Sequence, residues 1–117
     1  MERLVRATLN TWNGLANAAR TERAVQEELF VLLLALPLSF LLGSTMARRV
    51  ELIGVLMLLL VVEMLNTAIE KLADRVSTDH DPQIGFVKDM GSAAVGITIA
   101  IAGLTWLVAL AETIGLI

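Results

Sequence analysis

Hydrophobic residues fall into three long stretches, which predict three membrane-spanning helices. The stretches cover residues 29–47, 52–73 and 90–113. A helix rises about 1.5 Å per residue and the hydrocarbon core of a bilayer is about 30 Å thick, so each stretch is long enough to cross it. The third stretch is the clearest of the three, because residues 90–111 contain no charged side chain.

Residues 1–28 predict a helix of a different kind. Their larger apolar side chains recur at helical spacing, with arginines and asparagines elsewhere around the helix. This pattern is typical of an amphipathic helix that lies in the membrane surface, with Trp12 at the level of the lipid headgroups. A mostly polar start of this length does not resemble a cleaved signal peptide. The apolar face consists of Leu4, Val5, Thr8, Trp12, Leu15 and Ala19.

Composition supports an all-α membrane protein of one domain, residues 1–117. Hydrophobic residues make up 56% of the 117 residues, which is high for a soluble domain. The chain has no cysteine, so it has neither disulfides nor a thiol nucleophile. Its net charge is −3 and its cations are scattered, which argues against a nucleic-acid partner. Residues 43–51 and 75–88 are the predicted linkers.

The distribution of arginine and lysine predicts the orientation of the chain. With three spans, residues 1–28 lie on the same side of the membrane as the loop before the third span. By the positive-inside rule this side is cytoplasmic, and the C-terminus lies on the opposite side. The predicted cytoplasmic side carries Arg3, Arg6, Arg20, Arg23, Lys71, Arg75 and Lys88, whereas the other side carries only Arg48 and Arg49.

One polar face interrupts the second span. Its members, Glu63, Asn66, Glu70 and Asp74, are called the acid row. At about 100° per residue they fall within roughly 80° of one another, so they share one narrow face of the helix. At the standard rise they extend along about 16 Å of the axis, from mid-membrane to the cytoplasmic surface. An acid at the bilayer centre costs about 2.5 to 3.5 kcal/mol, so function is the first interpretation of Glu63.

The start of the third stretch brings a cation beside these acids. Taken alone, Lys88 marks a membrane interface and Asp89 is well placed as an N-cap or first-turn acid. Taken with the acid row, the set contains a base, an amide, metal-binding carboxylates and an ammonium group, which Mg²⁺-assisted phosphoryl transfer requires. The chain contains no P-loop, no G-x-G-x-x-G and no D-F-G motif, so any nucleotide site must be of another type.

Three other interpretations of the acid row remain open. Glu63 could be protonated and hydrogen-bonded between helices, with Glu70 and Asp74 solvated at the helix end. A proton- or cation-conducting protein would use the acids as a relay, but residues 52–62 continue without a polar group toward the other membrane face. A scaffold subunit with acids at an interface would transfer no phosphate at all.

Several motifs resemble those of the small integral-membrane diacylglycerol kinases of bacteria. The second span contains V-E-x-x-N-[ST]-A-I-E at residues 62–70, followed by D-R at 74–75. The third begins with K-D-M-G-S-A-A-V at 88–95, and W-N-G-L occurs at 12–15. The similarity extends over nearly the whole chain. It implies a homotrimer of three-helix protomers in the bacterial inner membrane, each with a surface helix, that phosphorylates diacylglycerol to phosphatidic acid with MgATP.

The resemblance also implies roles for individual residues in a composite site. Glu63 would be the base that faces the lipid hydroxyl, with Glu22 and Glu70 as ligands of Mg²⁺ and Asn66 and Asp74 as supporting groups. Further residues would contact the two substrates. The nucleotide contacts would be Thr11, Glu22, Glu28, Glu70, Lys88 and Asp89, and the lipid contacts would be Arg3, Glu63 and Ser92.

The chain also departs from some relatives of that family. Some of them carry an arginine at the position of Gln26 or a lysine at that of Asn13, and the loop D-H-D-P-Q-I-G-F-V is less basic than in several others. A sister group with the same motifs phosphorylates undecaprenol. The segment around Trp12 and the K-D-M-G-S-A-A-V motif favour the diacylglycerol branch.

Overall fold

The computed structural model describes residues 1–77 and 79–117, and these form four α-helices without a strand. The last three helices are each long and apolar enough to span a membrane. This confirms the predicted fold class, an all-α membrane protein with an N-terminal helix and three spans. The helices are α1 (Glu2–Thr21), α2 (Arg23–Leu42), α3 (Met46–Val76) and α4 (Pro82–Thr113).

Helix α1 has the character of a surface helix. It has no buried residue, and most of its apolar face is exposed, with Trp12 67% exposed. α1 ends one residue before Glu22, whose extended backbone (φ −105°, ψ 115°) separates it from α2. Residues 23–28, assigned from sequence to the interfacial region, therefore form the first turns of α2. No proline or glycine marks this break, so the sequence pattern did not reveal it.

The turn between α2 and α3 is shorter than the predicted linker 43–51. α2 ends at Leu42, so the predicted first span, 29–47, runs past its end. Thr45 caps α3, because its hydroxyl oxygen accepts a hydrogen bond from the backbone N–H of Arg48 at 3.1 Å. The charged residues that follow Thr45 are therefore helical, since an N-cap starts a helix regardless of how apolar the following turn is.

A second cap corrects the predicted linker 75–88. Asp81 accepts a hydrogen bond from the N–H of Gln83 at 2.9 Å, and Pro82 occupies the first helical position, where its missing N–H costs nothing. α4 thus begins eight residues before the predicted third span, 90–113. Asp89 lies in the third turn of α4, so its interpretation as an N-cap or first-turn acid is wrong.

Helices α3 and α4 pack against each other in antiparallel fashion along most of their length. The buried residues of α4 are Gly91, Thr98, Ala102 and Ala109, at the spacing of one helical face. Small residues there let two helix backbones approach closely. A neighbouring small-residue face of α4, which has the composition for such a contact, is exposed in this chain. It consists of Ser92, Gly96, Ala100 and Gly103.

Candidate active site

The acid row lies on α3 as predicted, because the helix runs without a break from Met46 to Val76. Burial varies along it. Asn66 is only 8% exposed, Glu63 and Glu70 are partly buried, and Asp74 at the helix end is exposed. The acid row therefore runs from the C-terminal end of α3, where Asp74 is exposed, into the packed bundle.

Glu28 brings a further carboxylate to the deep end of the row. It lies on α2 with its carboxyl group near that of Glu63, which in turn lies near Glu70. The Oε2 atom of Glu28 is buried without a hydrogen-bond partner among the described residues. Buried carboxylate oxygens are normally paired, so this oxygen of Glu28 lacks the positive charge or donor that would satisfy it.

Asn66 connects the row to α4. Its Nδ2 donates to Oε1 of Glu70 at 3.3 Å, while its Oδ1 is buried with no hydrogen-bond partner in the described parts of the chain. That oxygen packs against Gly91, which carries no side chain to exclude it. The helical pattern of the sequence assigned no role to Gly91, although it lies within the K-D-M-G-S-A-A-V motif.

Two lysines form ion pairs between helices at the same end of the bundle. Nζ of Lys88 on α4 lies 2.5 Å from Oδ1 of Asp74 on α3. Nζ of Lys71 on α3 lies 2.9 Å from Oε1 of Glu22, at the bend between α1 and α2. From the sequence, Lys71 contributed only to the predicted orientation of the chain, and its contact with Glu22 was not predicted.

A cleft of about 270 Å³ opens beside the Glu22–Lys71 pair, between α1, α2 and α3. On α3 the cleft residues Thr67 and Lys71 lie on a stripe next to the acid row, about 40 to 80° around the helix from Glu63. The polar lining also includes Asn17 and Thr21. A small, open cleft with an ammonium group, a carboxylate and hydroxyls is suited to part of a polar ligand.

An apolar groove of about 430 Å³ lies between α2, α3 and α4. On α3 it is lined by Leu56 and Leu59, which precede Glu63 by seven and four residues and so share its helical face. On α4 the lining includes Ile99, which follows Ser92 by seven residues. The groove therefore continues the acid row into the apolar part of the bundle.

Comparison with known proteins matches residues 9–110 to the model of the prokaryotic diacylglycerol kinase family. The diacylglycerol kinase of Escherichia coli strain K12 is 40% identical over 108 residues, which cover 92% of this chain and 88% of that protein. The protein of the same name from Haemophilus influenzae is 35% identical over 103 residues, covering 88% and 87%. That of Pseudomonas aeruginosa is 36% identical over 106 residues, covering 91% and 86%.

The chain belongs to the prokaryotic diacylglycerol kinase family. The resemblance found in the motifs is thereby confirmed. With three helices able to span a bilayer, this member of a lipid kinase family is an integral membrane protein.

Four residues to which the resemblance assigned roles stand apart from the acid row in this family member. Arg3 and Thr11 are exposed on α1, and the Thr11 hydroxyl donates to the carbonyl oxygen of Ala7 at 2.9 Å. Asp89 and Ser92 are exposed on α4. Among the hydrogen bonds and ion pairs of the described residues, none joins these four side chains to the row.

The predicted metal ligands are likewise not gathered into a closed cage. In the described ranges no three acidic or histidine side chains converge on one metal-sized position. Glu70 has an amide donor on one oxygen, and Glu22 is paired with Lys71. Mg²⁺ commonly binds one or two protein carboxylates and completes its shell with water and substrate phosphates. One carboxylate oxygen of Glu70 and one of Glu22 remain outside these two contacts, and they fit that kind of site.

Proposed function

We propose that this protein transfers the γ-phosphoryl group of ATP to the free hydroxyl of diacylglycerol, forming phosphatidic acid at the cytoplasmic surface of the bacterial inner membrane. The observation that carries the proposal is the position of Glu63. It is an acid within a membrane-spanning helix, at the junction of a polar row and an apolar groove. The names of the relatives from three bacteria support the same acceptor.

The acceptor hydroxyl is a poor nucleophile until its proton is removed. Glu63 accepts this proton as the hydroxyl oxygen bonds to the γ-phosphorus. The bond from phosphorus to the bridging oxygen breaks, and ADP leaves with that electron pair. The groove below Glu63 receives the acyl chains, so the lipid hydroxyl is presented at the depth of the acid row.

The remaining charged groups of the site bind the metal ion and the phosphates of ATP. Glu70 and Glu22 would hold Mg²⁺, which when bound neutralises developing negative charge on the phosphate oxygens. Asn66 orients the Glu70 carboxylate by donating to it, and Asp74 holds Lys88 in place. Lys88, Thr11, Asp89 and Glu28 complete the nucleotide contacts, with Arg3 and Ser92 beside the lipid.

A homotrimer is part of the proposal. Arg3, Thr11, Asp89 and Ser92 are exposed and unconnected to the acid row of their own chain. A neighbouring protomer would bring its own copies of these groups to the row. Each site would then be composite, with the acids of one chain completed by side chains of the next.

Proton or cation conduction is a poorer explanation of the same residues. A relay needs polar groups that lead to both membrane faces. Beyond Glu63 the shared face of α3 continues with Leu59 and Leu56 into the apolar groove. The polar path therefore ends inside the bundle, as a binding pocket does.

The deciding assay offers diacylglycerol and undecaprenol side by side in mixed micelles with Mg²⁺ and ATP labelled at the γ-phosphate. We expect labelled phosphatidic acid as the main product, and its loss in Glu63→Gln but not in Glu51→Gln, an exposed acid of the same helix. Preferred labelling of undecaprenol would assign the chain to the sister activity. No labelling of either lipid by folded protein would contradict a kinase function.

A further inference from the structure

Gly91 differs from other glycines of the spanning helices in its surroundings. It is buried, and a Cβ atom at this position would overlap Oδ1 of Asn66 and lie 3.2 Å from its Cγ. At Gly54 and Gly96 a Cβ atom would meet nothing within 4 Å. Position 91 of α4 is therefore a place where even a methyl group would displace a specific side chain of α3.

The side chain that would be displaced is that of Asn66, and only one orientation of its amide allows a hydrogen bond to Glu70. Asn66 presents its amide nitrogen to Oε1 of Glu70 at 3.3 Å and its oxygen to Gly91. An ionised carboxylate only accepts hydrogen bonds, so the reversed amide would place two oxygens against each other. The space left by Gly91 is what admits the amide oxygen and keeps the N–H groups on Glu70.

We propose that Gly91 is a positioning residue of the active site, acting through Asn66 on the carboxylate of Glu70. By leaving room for the amide oxygen, it holds a hydrogen-bond donor against Glu70 and fixes the direction in which that carboxylate presents its oxygens. Donors to a metal-binding carboxylate orient it and strengthen metal binding. The inference rests on the proposed function, in which Glu70 binds the magnesium ion of MgATP.

A purely structural role for Gly91 gives a different expectation. Small residues let membrane helices approach closely, and Gly91 lies on the buried face of α4 with Thr98 and Ala102. On that account a methyl group at position 91 lowers stability and activity together, and excess Mg²⁺ does not restore the activity. On the positioning account the loss of activity acts through the Asn66 amide and is relieved by excess Mg²⁺.

The test is a double-mutant cycle with kinetics and stability measured on the same samples. Gly91→Ala is made in the parent and in the Asn66→Ala variant, and Gly96→Ala serves as the matched control in the same helix. We expect Gly91→Ala to reduce kcat/KM for MgATP on the order of 10- to 100-fold, the effect of misplacing a positioned group by about 1 Å. The loss should lie mainly in KM and diminish at excess Mg²⁺.

The Asn66→Ala background tests whether the methyl group acts through the amide. There the methyl group has no amide to displace, so Gly91→Ala should add less than about a twofold loss. Equal losses in both backgrounds, or a Gly91→Ala variant as active as Gly96→Ala, would overturn the proposal. A Gly91→Ala variant that fails to fold leaves the double variant to decide: the positioning account requires it to fold and match Asn66→Ala, and its misfolding would refute that account.

Failure of the proposed function would look different. In that case the parent itself phosphorylates neither lipid, and thermal unfolding of the four proteins of the cycle becomes the readout. The steric relation still predicts that Gly91→Ala lowers the unfolding temperature in the parent and not in Asn66→Ala. Equal shifts in both backgrounds would reject the contact between the two residues.

Discussion

The two ends of the helical bundle differ in whether their polar groups are paired with one another. At the end opposite the acid row, Arg48 bridges Glu51 at 2.8 Å and Glu112 at 2.5 Å. Its neighbour Arg49 donates to the carbonyl oxygen of Gly43 and lies 4.6 Å from the centre of the Phe40 ring. At the other end, the carboxyl group of Glu63 lies near those of Glu28 and Glu70, and buried oxygens of Glu28 and Asn66 have no hydrogen-bond partner among the described residues.

This difference distinguishes polar groups that stabilise the fold from polar groups that serve the reaction. Arg48, Glu51 and Glu112, called the Arg48 cluster, join the start of α3 to the end of α4. Nearby, the Trp106 indole N–H donates to the carbonyl oxygen of Leu52 at 3.1 Å. These groups satisfy each other within the chain. Unpaired buried oxygens cost free energy, and a functional role is one reason for which proteins retain them. The acid row fits that description, and the Arg48 cluster does not.

The largest expected effect is on turnover in Glu63→Gln. The substitution keeps the shape of the side chain and removes its basic oxygen. Turnover should fall by roughly 10² to 10⁴, the usual contribution of a positioned general base. The measurement is the initial rate at saturating MgATP and diacylglycerol. A loss below about tenfold in folded protein would mean that the proton leaves by another route.

Removing a metal ligand should have the next largest effect. Glu70→Ala and Glu22→Ala take away carboxylate oxygens that compensate Mg²⁺ for lost water. We expect kcat/KM for MgATP to fall on the order of 10- to 100-fold, with partial recovery at excess Mg²⁺. Titration of Mg²⁺ at fixed ATP measures this, with Glu27→Ala, an exposed acid paired with Arg23, as the control. An unchanged Mg²⁺ requirement in Glu70→Ala would remove that residue from the metal site.

Mixing of inactive protomers should restore part of the activity if sites are composite. Glu63→Gln and Asp89→Ala protomers are unfolded together and reassembled, so that one chain can supply Glu63 and its neighbour can supply Asp89. Activity should exceed that of either variant reassembled alone. If mixed oligomers form and no activity returns at any ratio, each site lies within one chain.

The smallest effect is expected at the opposite end of the bundle. Arg48→Ala breaks the bridge to Glu51 and Glu112, whose side chains are about half exposed. Partly exposed ion pairs contribute little, so the free energy of unfolding should fall by about 1 kcal/mol. Turnover should stay within about twofold of the parent, since distant sites act independently. A large loss of turnover without a loss of stability would break the comparison between the two ends.

The sequence predicted those features that depend on one helix. The acid row follows from the helical period alone, so Glu63, Asn66 and Glu70 could be placed on one face before any packing was known. The three spans and the surface helix follow from hydrophobicity in the same way. Helix ends were less accurate, because the caps at Thr45 and Asp81 lie inside stretches that composition had assigned to linkers.

Contacts between helices could not be read from the same pattern. α4 carries small residues on two adjacent faces, one containing Gly91 and the other Ser92 and Gly96, and periodicity does not say which faces α3. The choice depends on how whole side chains of both helices fit together. For this reason the contact of Gly91 with Asn66 and the pairing of Lys71 with Glu22 emerged only from the structure.

The most direct test of the central claim is the stability of Glu63→Gln, measured by thermal unfolding in detergent beside the parent and Arg48→Ala. If the acid row is maintained for chemistry, removing a repelled charge from the bundle should leave the unfolding temperature unchanged or raise it, while activity is lost. Arg48→Ala should show the reverse, lower stability with activity kept. A marked fall in the unfolding temperature of Glu63→Gln would show that this acid supports the fold, and would contradict the account.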